Sequence, residues 1–161
     1  LRTATDTEPQ VAGKPAPTLM ADALSRGDFH APLVVGDRLD TDIAGAYAAG
    51  LPSLMVLSGV NSARDLVGAT VEQRPTYVAH DLRALHTDPA TAAVTAQPAW
   101  RTDIDGARIT VSANGADPGQ DGLSVVRATA RAVWDIGTSD VTVVAGDDTA
   151  RAALQRWSLL S

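Results

Sequence analysis

The chain has 161 residues, 45% of them hydrophobic and 20% charged, which is the balance of a folded globular protein rather than a disordered one. A formal net charge of −6 argues against general nucleic-acid or anionic-membrane binding, because phosphate backbones call for a basic surface. The absence of cysteine excludes disulfides, thiolate nucleophiles and zinc–cysteine sites and fits a cytoplasmic protein, and no apolar run is long enough to cross a membrane.

In chain order, the first ten residues are polar and without period, and Pro15 and Pro17 forbid a helix interior before about Thr18. Leu19, Met20, Ala23 and Leu24 then recur at helical spacing until Gly27 ends the pattern. Leu33-Val34-Val35 reads as a buried strand closed by Gly36-Asp37. Thr41 to Ala49 reads as a helix, with Asp40 or Thr41 as its cap and Gly50 just past its end. Leu54 to Leu57 is a second buried strand, Ala63 to Val67 a short helix and Thr76-Tyr77-Val78 a third strand. A further short helix starts at His80-Asp81-Leu82. Strands alternating with helices on short loops predict βαβ units on a parallel sheet, the architecture of an α/β fold. Thr87 to Pro98, rich in Ala, Thr and Pro, reads as a linker. Beyond it come a strand at Ala107 to Ser112, a turn at Asn114-Gly115 and a helix presenting Leu123, Val126, Val133 and Trp134. A strand at Val141 to Val144 and a helix at Ala150 to Leu160 complete a small α+β unit, with Trp100, Trp134 and Trp157 in its core.

Two features point to chemistry. Lys14 is the only lysine beside twelve arginines, which suggests a position that wants a compact ammonium. Asp37 directly follows a buried strand, and Asp42 lies near the start of the next helix. Ligands of open α/β sheets bind at the carboxyl ends of strands. A hard cation such as Mg²⁺ is suited by one or two carboxylates there, with water completing its shell. Gly36 lets the backbone turn and a ligand approach. Asp42 is equally consistent with a structural role at the helix start. Arg38 and Asp40 read as solvated or cap residues, His30, His80 and His86 as structural or exposed, and Ser58 and Asn61 as candidates for a substrate entrance.

The loop Gly36-Asp37-Arg38-Leu39-Asp40-Thr41-Asp42 resembles the fourth motif of haloacid-dehalogenase-type (HAD) phosphatases, and Gly13-Lys14-Pro15 resembles their third, one helix and one strand upstream. Ala48-Ala49-Gly50-Leu51-Pro52, Val56-Leu57-Ser58-Gly59-Val60, Arg74-Pro75-Thr76-Tyr77 and His80 to Leu85 are similar to the large-capped, 4-nitrophenylphosphatase-like branch. The resemblance runs from about Glu8 to His86. The C-terminal unit, with Asp121 to Val126 and Ala152 to Trp157, is similar to the extension on actinobacterial glycerol-3-phosphate phosphatases.

The resemblance implies the C-terminal part of a HAD-type, Rossmann-like parallel sheet over residues 13–88, followed by a small α+β extension over residues 99–161. Residues 1–12 would return from a cap that is not in this sequence. It implies hydrolysis of a small phosphorylated metabolite, glycerol 3-phosphate foremost, through a phosphoaspartate with Mg²⁺ as cofactor. Asp37 would bind the metal, Asp42 would orient its surroundings or bind through water, and Lys14 would neutralise charge on nucleophile and phosphate. Asp-x-Asp-Gly-Thr, which carries the nucleophile, is not found upstream of Lys14, so an N-terminal segment in the same or a cleaved chain is the expected partner, and one edge of the sheet is expected to lie open. Asp103-Ile104-Asp105-Gly106 spells the start of that motif but reads as a turn after a poor strand candidate, and Val143 to Asp148 mimics a metal loop but reads as a strand end capping the last helix. The competing reading is a non-catalytic binding, regulatory or dimerisation module, and homo-oligomers are compatible with either.

Overall fold

A computed structural model of the chain describes residues 13–137 and 140–161, so the expected return segment, residues 1–12, lies outside the described residues. The elements used below are α1 (Thr18–Ser25), β1 (Val34–Gly36), α2 (Ala44–Ala48), β2 (Ser53–Val56), α3 (Ala63–Val67) and β3 (Tyr77–Ala79). They are followed by β4 (Trp100–Asp105), β5 (Arg108–Ala113), α4 (Ser124–Ile136), β6 (Thr142–Ala145) and α5 (Asp148–Arg156).

The first three strands form a parallel sheet in the order β1-β2-β3, with Val35 opposite Leu54 and Met55 opposite Val78. Each apolar run is bounded by Pro or Gly, and the intervening helices make the crossovers that parallel pairing requires. β2 is buried along its whole length, whereas β1 is only half-buried. The expectation of a buried first strand is corrected for a simple reason: β1 is the edge strand, and among the described residues no strand pairs with its outer flank. The helical face expected on α1 is also mostly open, with Met20 buried and Leu19 48% exposed.

The start of the helix after Asp37 differs from the sequence reading, while its end agrees. The turn after Asp37 begins earlier than Thr41, as one π-helical turn over Leu39–Ile43, and no side chain caps it. α2 follows directly, and Gly50 ends it at φ +68°, a left-handed geometry that glycine adopts without strain.

The C-terminal unit is a three-stranded sheet in the order β4-β5-β6, with β4 antiparallel and β6 parallel to β5. β4 is the element missed in the sequence. Asp103 to Asp105, read as a turn, continue the strand, and the turn falls at Gly106, where φ is +56°. As an edge strand β4 buries only Trp100, so its sequence carries little apolar signal. The strands expected at Ala107 to Ser112 and Val141 to Val144 form within a residue of those bounds. Asp147, at the strand end, caps α5, its Oδ1 accepting from Ala150 N at 2.8 Å, but α5 ends at Arg156 rather than Leu160, the chain leaving the helix at Trp157. Trp134 and Trp157 pack against the core, and Trp100 Nε1 donates to Ser124 Oγ at 2.9 Å.

A continuous apolar core runs through both halves. Ile43, Met55, Leu66 and Val78 of the first half share it with Ile109, Val111, Leu123, Val126 and Leu154 of the second. The stretch read as a linker lies along β3, where Ala93 bridges Tyr77, Val94 N donates to Thr76 O at 3.0 Å, and Ala92 and Val94 are buried. Among the described residues, no helix is long and apolar enough to cross a membrane.

Candidate active site

Asp37 is the first residue beyond β1, at the carboxyl rim of the parallel sheet. The chain then enters the π-helical turn, which swings Asp42 back toward the strand end. The Asp42 carboxylate is buried and accepts from two backbone amides, Asp37 N at 3.3 Å and Arg38 N at 3.1 Å, through Oδ2. Its other oxygen, Oδ1, lies 2.5 Å from Lys14 Nζ. A buried carboxylate needs such partners, because an unpaired charge away from water is costly. Lys14, Asp42 and the backbone of Asp37 therefore form one connected unit, with Lys14 still partly open to solvent.

Asp37 itself is held from the other side. Val60 N, in the loop after β2, donates to Asp37 Oδ2 at 2.9 Å, and Asn61 N donates to Asp37 O at 3.2 Å. Asn61 Oδ1 accepts from Leu39 N at 2.9 Å, tying the two rim loops together. Two glycines make this closeness possible. A Cβ on Gly59 would collide with the Asp37 side chain, and a Cβ on Gly36 would collide with that of Asp42. Gly36 was marked by the sequence as a point of close approach, and the obstruction it avoids is Asp42.

Among the described residues, Asp37 Oδ1 accepts no hydrogen bond, so one carboxylate oxygen remains available to a cation. No group of three His, Cys, Asp or Glu side chains that could hold a metal ion occurs among the described residues. Asp37 would be one protein ligand of a hard cation, a role that suits Mg²⁺ with its retained waters. Beside the rim opens a cleft of about 460 Å³, lined by Arg38, Asp40, Asn61, Arg64 and Gln73 among others. Arg38 and Asp40 pair at 3.0 Å on its wall, and the Arg38 hydrogen bond holds the Asp40 carboxyl below its ordinary pKa.

The structure thus brings together all three residues singled out in the sequence, with Lys14 paired to Asp42 rather than to Asp37. Asn61, considered as a substrate-entrance residue, spends its side-chain oxygen on the Leu39 amide. The sequence reading missed Gly59 and the Val60 amide. Their signal was Gly-Val-Asn directly after a buried strand, since a second rim loop of small residues is where a backbone amide can approach a carboxylate.

Residues 11–85 match the HAD-hydrolase-like family, and residues 97–159 match the GCN5-related N-acetyltransferase-like domain. The first half of the chain is thus similar to the HAD-hydrolase-like family. It is 59% identical, over 169 aligned residues, to the D-glycerol 3-phosphate phosphatase of Mycobacterium tuberculosis, a match covering 99% of this chain and 48% of that protein. The crystal structure of the M. tuberculosis glycerol phosphate phosphatase in complex with magnesium is similar at a TM-score of 0.89 and 62% identity, covering 99% of this chain and 47% of that one. The dihydroxyacetone phosphatase of Corynebacterium glutamicum is 34% identical over 84 residues, which are 51% of this chain and 30% of that protein. The chain thus spans about half the length of its mycobacterial relative.

Proposed function

We propose that this chain is the metal- and lysine-bearing half of a Mg²⁺-dependent phosphomonoester hydrolase whose preferred substrate is glycerol 3-phosphate. The observation that carries this reading is the arrangement Lys14–Asp42–Asp37, a cation, a buried carboxylate and a strand-end carboxylate with an open oxygen, linked within hydrogen-bond distance at the rim of a parallel sheet. The identity to the mycobacterial phosphatase supports the substrate class, and its magnesium complex supports the metal.

In this reading Asp37 would hold Mg²⁺, which when bound would neutralise phosphate charge. Asp42 does not touch substrate. It fixes the Asp37 backbone through two amides and holds the Lys14 ammonium at the rim. Lys14 places positive charge where phosphate and nucleophile oxygens crowd together, and positioning of charge is the main protein contribution to phosphoryl transfer. The nucleophilic aspartate and the acid that protonates the leaving alcohol belong to an N-terminal segment that packs on the outer flank of β1, in the same chain or as a cleaved partner. The aspartate attacks phosphorus as the ester P–O bond breaks and the alcohol departs, and water then hydrolyses the phosphoaspartate to release phosphate.

The test is Asp37→Asn in the whole protein. This change keeps the size of the side chain and the acceptor for Val60 N while weakening the metal ligand. Mg²⁺-dependent hydrolysis of glycerol 3-phosphate is expected to disappear with the melting temperature little altered. Full turnover in this variant would remove Asp37 from the mechanism.

A further inference from the structure

The outer edge of β3 is closed in part by the stretch that follows it and in part by the C-terminal unit. Successive residues of a strand within a parallel sheet direct their backbone groups to opposite neighbours. Ala79 O accepts from Leu57 N on the β2 side at 3.0 Å, so the carbonyls of Thr76 and Val78 face outward. Thr76 O is taken by Val94 N. Val78 is completely buried, and its carbonyl accepts from Arg127 of α4, from Nη2 at 2.8 Å and from Nε at 3.2 Å. The Arg127 side chain is 3% exposed and ion-paired with Asp121, the pairing that a buried guanidinium requires.

Two more contacts grip the same rim. His80, one residue beyond β3, lies with Nε2 2.7 Å from Asp121 O and its ring 5.3 Å from that of Trp157. Arg64 of α3 donates to Ser158 O at 3.2 Å. α3 starts immediately after Val60 and Asn61, the residues that hold Asp37, with Ser62 as its cap. Leu66 of α3 lies in the core shared with Leu123 and Val126.

The match to an acetyltransferase-like domain implies an acyl-CoA site, whose diphosphate would need free amides such as those of a helix N-terminus. The residues here do not fit that ligand. Asp121 places a carboxylate at the start of α4, where Oδ1 accepts from Leu123 N at 3.0 Å. Ser124 Oγ is committed to Pro118 O at 2.6 Å. β5 and β6 stay joined to their ends, with Gly146 N donating to Val111 O at 2.8 Å and Ala113 N to Asp147 Oδ2 at 2.7 Å.

We infer that the C-terminal unit is a brace rather than an acyl-CoA-binding enzyme, and that Arg127 is a positioning residue which keeps the 58–61 loop seated on Asp37. The effect on catalysis rests on the phosphatase reading, whereas the effect on the loop does not. The experiment uses the whole protein with Arg127→Met, which retains a long side chain but no donor, and Arg127→Lys, which restores one. Hydrogen exchange is followed in a peptide spanning residues 57–62. Arg127→Met is expected to speed exchange there about tenfold and to raise the Mg²⁺ concentration for half-maximal activity, with partial rescue by Arg127→Lys. Exchange at 57–62 unchanged in a variant whose melting temperature has fallen would overturn the positioning role and leave a purely structural one. Should Arg127→Met fail to fold, Arg64→Ala, at an exposed contact, is read in the same way. Millimolar acetyl-CoA is expected to leave the melting temperature unchanged, and a concentration-dependent rise would overturn the brace. A whole protein without phosphatase activity would refute the functional reading while leaving the exchange comparison valid.

Discussion

Lys14 Nζ and Asp42 Oδ1 meet at 2.5 Å, although they are 28 residues apart, and this contact rather than one to Asp37 anchors the lysine. The arrangement separates two jobs: Asp42 carries the backbone and the ammonium, and Asp37 keeps an oxygen for a cation. Because Lys14 is 41% exposed on its side chain, the ion pair contributes little to stability. Lys14→Met in the whole protein is expected to change the unfolding free energy by about 1 kcal/mol or less. The same variant should lower kcat/KM for a phosphomonoester by about 100-fold or more, the scale of losing one charge-stabilising donor. Arginine, a planar fork in place of a point charge, should not restore the rate. Unaltered kinetics in Lys14→Met would deny the lysine its role.

Gly59→Ala inserts one methyl where the Asp37 side chain already lies. The loop must retreat, and the Val60 N–Asp37 Oδ2 bond opens. Misplacement of about 1 Å can cost about 100-fold in rate, so activity should fall on that scale while the core is untouched. Steady-state kinetics beside a denaturant curve will separate the two effects, and a fully active Gly59→Ala protein would mean that the close approach is dispensable.

Leu66→Ala removes a fully buried side chain from the core common to both halves. The expected loss is about 2–5 kcal/mol, as for other buried leucines. Because the core is continuous, the whole chain should unfold in one shifted transition. Calorimetry that resolves two transitions, with only one displaced, would mean that the halves are thermodynamically independent.

Asp147 contributes to the acid dependence of the C-terminal unit. Hydrogen bonds from the amides of Ala150 and Ala113 hold its carboxyl below the ordinary value. Its contribution is therefore complete above the unfolded-state pKa of about 3.9 and is lost as pH falls through the lower folded value. Asp147→Asn should lower the melting temperature at neutral pH and flatten its decline in acid. Parallel melting curves for parent and variant from pH 7 down to pH 2 would contradict this.

The parallel sheet was legible because its strands are short apolar runs fenced by Pro32, Gly36, Pro52 and Pro75. The candidate site was legible because Asp37 ends a buried strand, Lys14 is the single lysine of the sequence, and the two fall in segments that resemble ordered motifs of HAD phosphatases. Asp42 was ambiguous in the sequence, since an acid near a helix start is ordinary. Only the π-helical turn reveals that its carboxylate folds back onto the Asp37 and Arg38 amides. β4 was illegible because Trp-Arg-Thr-Asp-Ile-Asp buries a single residue and owes its structure to pairing with β5. The role of Arg127 was also hidden, because its partner is a carbonyl 49 residues away and carries no side-chain signature.

The outer flank of β1, unpaired among the described residues, has a practical outcome for anyone handling these 161 residues by themselves. Val34 N donates to Pro52 O on the β2 side, so the amide and carbonyl of Val35 face outward, and beside Leu33 at 37% and Phe29 at 57% exposure they make a ready template for another extended segment. Two copies meeting there would extend one sheet across both molecules. Samples of the chain would then thicken or precipitate as they are concentrated, and a segment that pairs with that flank is the direct way to keep them monodisperse.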